Sequence, residues 1–138
     1  MVKNINYGYK TEVNLSYSDA INKVKELLKM DGFGIITEID VKNTLKNKLN
    51  VDYDNYIILG ACNPPFAFKA LKIERDIGLI LPCNVLVYED QGKTFVVTIR
   101  PTFSIGLINK EKLKYLAEDV ENKLKNVINT LKEGKNGI

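Results

Sequence analysis

The sequence predicts an α+β fold built on a mainly antiparallel sheet, and three observations carry that prediction. Adjacent strand-like runs lie between two long helical patterns instead of alternating with helices one for one, which disfavours a doubly wound parallel sheet. The turn Asp90-Gln91-Gly92-Lys93 joins two such runs as an antiparallel hairpin. The chain has 138 residues, 45% apolar and 27% charged. A chain of that length suits one domain, which buries roughly 68% of the surface its unfolded form exposes. Residues 1–133 are therefore read as one domain, with 134–138 as a frayed tail.

Residues Ile5 to Val13, rich in Tyr, Thr and Val, predict a first strand. Ser16 with Asp19 resembles a capping box. Behind it Ala20, Ile21, Val24, Leu27 and Leu28 recur at helical spacing, so a helix is expected from Tyr17 to Met30 and a stop at Asp31-Gly32. Phe33 to Ile39 predicts the second strand, and Asp40 stands where it can cap a short helix over Val41 to Leu49. Tyr56-Ile57-Ile58-Leu59-Gly60-Ala61-Cys62 is an almost unbroken apolar run, the pattern of a strand buried on both faces. Asn63-Pro64-Pro65 ends it and opens a helix over Phe66 to Glu74. Strands over Cys83 to Glu89 and Thr94 to Ile99 follow. Asn109 is then expected to cap a helix from Lys110 to Lys132, roughly 35 Å long. Its stripe of Leu113, Ala117, Val120, Leu124, Val127 and Leu131 is widened by Leu116 and Ile128, which suits a helix lying across a sheet better than a coiled coil.

This order puts the two longer helices on one face of the sheet. The other face must meet water, a ligand or a second subunit, and its strands are too apolar to meet water alone. A homodimer through the open face or an edge is the expectation.

Composition removes several functions. There is no histidine, so the Ser-His-Asp triad and histidine-ligated zinc or haem are excluded. The charge of +3 comes from 20 basic and 17 acidic residues. Only Arg75 and Arg100 among the basic residues are arginine, and the lysines are interleaved with acids, so nucleic acid is not an expected partner. No apolar run approaches the ~20 residues that span a bilayer, and the first residues carry no apolar leader. A cytoplasmic protein with reduced thiols and no membrane partner is expected.

The two cysteines make the most unusual local pattern: Gly60-Ala61-Cys62-Asn63-Pro64-Pro65 and Leu81-Pro82-Cys83-Asn84 each place a Cys-Asn pair at a strand end beside proline. Cys62 precedes a helix N-terminus, where N–H groups and the dipole favour a thiolate or an anion. The plainer reading makes both cysteines small buried hydrophobes. Twenty residues separate them, so they form no C-x-x-C motif, and two thiolates do not complete a metal site. Glu38 and Asp40 share one face of a strand and offer an acid–base pair; alternatively Asp40 caps a helix and Glu38 pairs with a lysine such as Lys42. Phe66 and Phe68 point to different sides of their helix, one toward the core and one toward a pocket or interface.

Taken in order, Gly32-Phe33-Gly34-Ile35-Ile36-Thr37-Glu38-Ile39-Asp40-Val41, Ile58-Leu59-Gly60-Ala61-Cys62-Asn63-Pro64 and Gly78-Leu79-Ile80-Leu81-Pro82-Cys83-Asn84-Val85 resemble the family called domain of unknown function 302. The resemblance runs from about Tyr7 to Leu131. It implies a β-α-β(4)-α fold similar to the TATA-box-binding-protein-like folds, commonly dimeric, and it supplies no activity, catalytic residue or cofactor. The family's motif positions fall on Glu38, Asp40, Cys62, Asn63, Cys83 and Asn84. Phe68 stands where many members have histidine or tyrosine, and Arg100 where an acid is more usual before Pro101.

From this reading the expected function is a binding module for an anionic or soft small ligand. Its pocket is formed by Cys62, Asn63, Pro64, Cys83 and Asn84, with Glu38 and Asp40 setting polarity. The alternative is a cysteine-dependent sulfur-transfer or redox enzyme, with Cys83 resolving Cys62.

Overall fold

The computed structural model describes residues 2–136. Its frame is a six-stranded antiparallel sheet in the order β1-β2-β6-β5-β4-β3. The expected single strand over Ile5–Val13 is a hairpin: Val2–Ile5 (β1) turns through Asn6-Tyr7 into Gly8–Val13 (β2). Tyr7 favours strands, so composition hides the turn. Gly8 sits where a Cβ would lie 2.9 Å from the Thr98 carbonyl, and only glycine lets the two backbones approach so closely.

Tyr17–Met30 (α1) starts as expected, with the Asp19 N–H donating to Ser16 Oγ at 3.1 Å. It ends at Gly32, whose φ of +85° is the left-handed conformation that stops a helix. Gly34–Asp40 (β3) is an edge strand with a bulge between Ile35 and Thr37. Asp40 Oδ1 accepts from the Asn43 N–H at 3.0 Å and caps Val41–Leu49 (α2). Tyr56–Cys62 (β4) leads into Pro64–Ile73 (α3), which is followed by a 3-10 turn over Arg75–Leu79. Cys83–Asp90 (β5) and Lys93–Ile99 (β6) form the central hairpin; Gln91 and Gly92 both have positive φ, the geometry a tight hairpin needs. The short helix Pro101–Ser104 (α4) and a 3-10 turn over Ile105–Leu107 precede Glu111–Asn136 (α5).

The last helix differs from expectation at both ends. Asn109 does not cap it: Lys114 N–H donates to Lys110 O, so Lys110 is the half-in residue, and its ammonium reaches Glu74 at 2.7 Å and ties α5 to α3. At the other end the helix takes in Gly134–Asn136, while 137–138 lie outside the described residues. Its stripe is as predicted, with Leu113, Ala117, Val120, Leu124, Val127, Ile128 and Leu131 all buried.

Both long helices cover one face. Strand residues of one parity (Tyr9, Thr11, Val13, Ile57, Leu59, Ala61, Cys83, Val85, Val87, Val96) meet Ala20, Val24, Leu27 and Leu28 of α1 and the stripe of α5 in a single core. The contacts that cross between layers belong to that same parity: Tyr9 reaches Glu121 of α5, and Lys25 of α1 reaches Glu38. β4 corrects one expectation here. Ile57, Leu59 and Ala61 are buried, but Tyr56, Ile58 and Cys62 are only half-buried, because neither long helix lies over the second face.

Candidate functional site

The open face is ordered into rows by the strand registers. Ile39, Ile58, Leu86 and Val97 stand side by side across four strands, and the row continues to Lys10 of β2 and Lys3 of β1. One step along, Tyr56, Tyr88 and Phe95 form an aromatic row that ends at Glu12. In the other direction lie Thr37, Gly60 and Asn84. The aromatic row packs ring on ring: Tyr56 stacks on Tyr88 at 5.1 Å between centroids, 8° from parallel, and Tyr88 meets Phe95 at 5.6 Å. Tyr53, from the loop between α2 and β4, tilts against Tyr56 at 6.2 Å. The Lys10 ammonium rests over Tyr88 and Phe95, 5.2 and 4.6 Å from their centroids.

These residues wall a cleft of about 640 Å³, with Tyr53, Tyr56 and Tyr88 on its sides, Leu86 and Val97 in its floor, and Lys10, Asp54, Glu89 and Asp90 around it. The size is that of a small-molecule site. Burial, more than its neighbours Tyr88, Tyr53 and Tyr7, pushes the Tyr56 hydroxyl above its ordinary pKa. The sequence reading missed this cleft. The signal was parity: Leu86 with Tyr88, and Phe95 with Val97, are alternate residues on the two arms of one hairpin and so face the same side.

The expected Cys-Asn pocket is not assembled as one site. Cys83 pairs with Ala61 and faces the core, whereas Cys62, the next residue along β4, faces the open side. Burial, and secondarily the nearby Cys62, pushes the Cys83 thiol up to about 12. The Asn residues are split likewise. Asn63 is buried and its Oδ1 accepts from the Phe66 N–H at 3.1 Å as the cap of α3; Asn84 is exposed on the open face. Nor does the start of α3 offer free donors to an anion. Pro64 and Pro65 have no N–H, and that of Phe66 is already taken. Gly60 admits no ligand either: a Cβ there would meet Thr37 Oγ1 and, at 2.8 Å, the ring of Pro82.

Glu38 and Asp40 do not form an acid–base pair. Asp40 is a helix cap, and Glu38 bonds Lys25 of α1 at 3.0 Å in place of the suggested Lys42. Phe66 is buried, and Phe68 is 62% exposed beneath the ammonium of Lys72.

A second polar cluster, also missed, lies between the layers. Glu121 accepts from Tyr9 Oη at 3.0 Å and from the Thr102 N–H and hydroxyl at 2.9 and 2.6 Å. Arg100 Nε stands 3.5 Å from the same carboxylate, an electrostatic contact without a well-directed hydrogen bond, and its guanidinium lies 5.5 Å from the Tyr9 ring centroid. Burial alone would raise the Glu121 pKa; the Thr102 and Tyr9 bonds and the Arg100 charge outweigh it and hold the carboxyl below its ordinary range. The unusual Arg100 is thus matched by a carboxylate from α5.

Among the described residues no helix is long and apolar enough to cross a membrane. Comparison with known proteins completes the picture. The family model described as Domain of unknown function DUF302 matches residues 9–131. The fold is similar to the crystal structure of an uncharacterized conserved protein DUF302 from Bacillus stearothermophilus, with 30% identity over 92% of this chain and 99% of that one, and a TM-score of 0.86. None of the curated proteins matches.

Proposed function

The chain belongs to the DUF302 family, and from that premise we propose that it is a homodimeric binding module holding a small molecule in the tyrosine-walled cleft of its open sheet face. The cleft carries the proposal: about 640 Å³ with an apolar floor, stacked rings and a few charged groups is the composition of a ligand site. The aliphatic row from Ile39 to Val97 supports the dimer, because a row of this kind gains most from a second apolar surface. Two free cysteines fit a reducing compartment and support a cytoplasmic location. The sulfur-transfer reading loses its resolving partner, since Cys83 faces away from Cys62 with a pKa of about 12.

Native mass spectrometry of protein purified from its own host tests both parts. The expected species is twice the 15.6 kDa chain mass plus a retained small molecule, with that molecule absent from Tyr53→Ala. A spectrum at the chain mass alone refutes the dimer. A dimer free of added mass, or one whose added mass survives Tyr53→Ala, refutes the cleft.

A further inference from the structure

We infer that the cleft takes an organic cation, a primary or quaternary ammonium small enough to lie against tyrosine rings; the inference rests on the reading of the cleft as the binding site. Among the described residues that line it, Asp54 and Asp90 bring carboxylates against the ammonium of Lys10, so their formal charge is two minus one on the negative side; Glu89 also borders the cleft but has the parity of Val87, and its charge acts on Tyr17 on the helix side. Its walls are π faces, which carry negative potential and attract cations. The protein already uses this property at one end: the Lys10 ammonium sits over Tyr88 and Phe95. At the other end, among the described residues, no lysine or arginine lies over Tyr53 or Tyr56.

The nearest cations leave that end free. Lys46 pairs with Asp52 at 3.2 Å, two residues before Asp54, and among the described residues no ion pair engages Asp54 itself. Glu89 is held in place, with one oxygen accepting from Asn55 Nδ2 at 2.6 Å and its N–H donating to Asn55 O. These bonds pin the loop that carries Tyr53 and Asp54 to the end of β5. Ring faces and a free carboxylate therefore converge on a fixed place that lacks only the positive charge. An anion placed there would meet an excess carboxylate and the wrong face of each ring.

Benzyltrimethylammonium and benzoate share a ring and differ in charge, and titrating each into the full-length protein at matched ionic strength tests the sign. Backbone amide NMR shifts over Tyr53–Tyr56 and Leu86–Asp90 are the readout. The cation is expected to shift these amides to saturation, and benzoate is not. Asp54→Asn should weaken the cation by about threefold and Tyr53→Ala should weaken it further. Tyr115→Ala, on the outer face of α5, should leave it unchanged. Benzoate saturating the same amides while the cation does not overturns the inference and leaves the cleft as a site. Neither probe moving them also overturns it, and the retained-mass comparison of wild type with Tyr53→Ala then judges the cleft separately.

Discussion

Cys62 and Cys83 differ by one step of register, and that step decides their chemistry. Cys83 shares the helix-covered face with Ala61 and Val85; Cys62 ends β4 on the open side. Iodoacetamide should therefore modify Cys62 in the folded protein and reach Cys83 only on unfolding, and equal labelling of the two would contradict the register. The buried thiol also predicts an alkaline limb of stability. Burial first, and then Cys62, raises Cys83 from 9.0 to about 12 in the folded state, and Tyr17 is raised from 10.0 to about 12, mainly by burial and then by Asp40 and Glu89. Below pH 9 both groups are protonated whether folded or not, and their contribution is complete. Above it the unfolded chain ionises and the folded one does not, so stability is lost as pH rises from 9 toward 12. The urea midpoint should fall across that window, and less steeply in Cys83→Ala.

At the scale of elements, Glu121 joins four pieces: α5 carries it, and β2, α4 and the residue after β6 meet it through Tyr9, Thr102 and Arg100. Glu121→Ala strands the Tyr9 hydroxyl, the Thr102 donors and a part-buried guanidinium, and should cost about 3 kcal/mol in urea unfolding. Because the folded carboxyl sits below its ordinary pKa, its contribution is present above the ordinary carboxylate range and disappears as pH falls through the lowered value. The variant should therefore show a flatter acid limb as well as a lower midpoint. This clamp was within reach of the sequence, since Glu121 is four residues after Ala117 and three before Leu124, squarely on the predicted stripe. The helices were legible for the same reason: a 3.6-residue period and local caps at Ser16, Asp40 and Asn63 are written in consecutive residues. The cleft was not, because alternation within one strand fixes relative parity only. Which parity faces the helices, and which residue stands opposite which, depends on turns and pairings far apart in the chain, such as Gly60 with Asn84. Cys62 and Cys83 thus come near each other on neighbouring strands yet face opposite sides of the sheet.

At the scale of the molecule, the question is how a two-layer fold shields the second side of its sheet. The edge strand β3 is a poor place for a partner, since its bulge between Ile35 and Thr37 breaks the ladder and Glu38 is committed to Lys25. The open face is better suited. Its central row is aliphatic across four strands, and Ile39 remains 48% exposed. A two-fold axis near the Ile39–Ile58 end of that row, outside the cleft, sets Ile39 and Ile58 of each copy against the other, the self-complementary contact a symmetric dimer requires. A lysine in the middle of such a contact has neither water nor a counter-charge, while in a lone subunit it points to solvent from an already half-exposed site. Ile58→Lys should therefore convert a dimer to a monomer in light scattering while the circular dichroism of the fold is kept. A variant that stays dimeric, or a wild-type protein already monomeric at micromolar concentration, removes the open face as the interface. The tyrosine cleft is then an open trough on a single subunit.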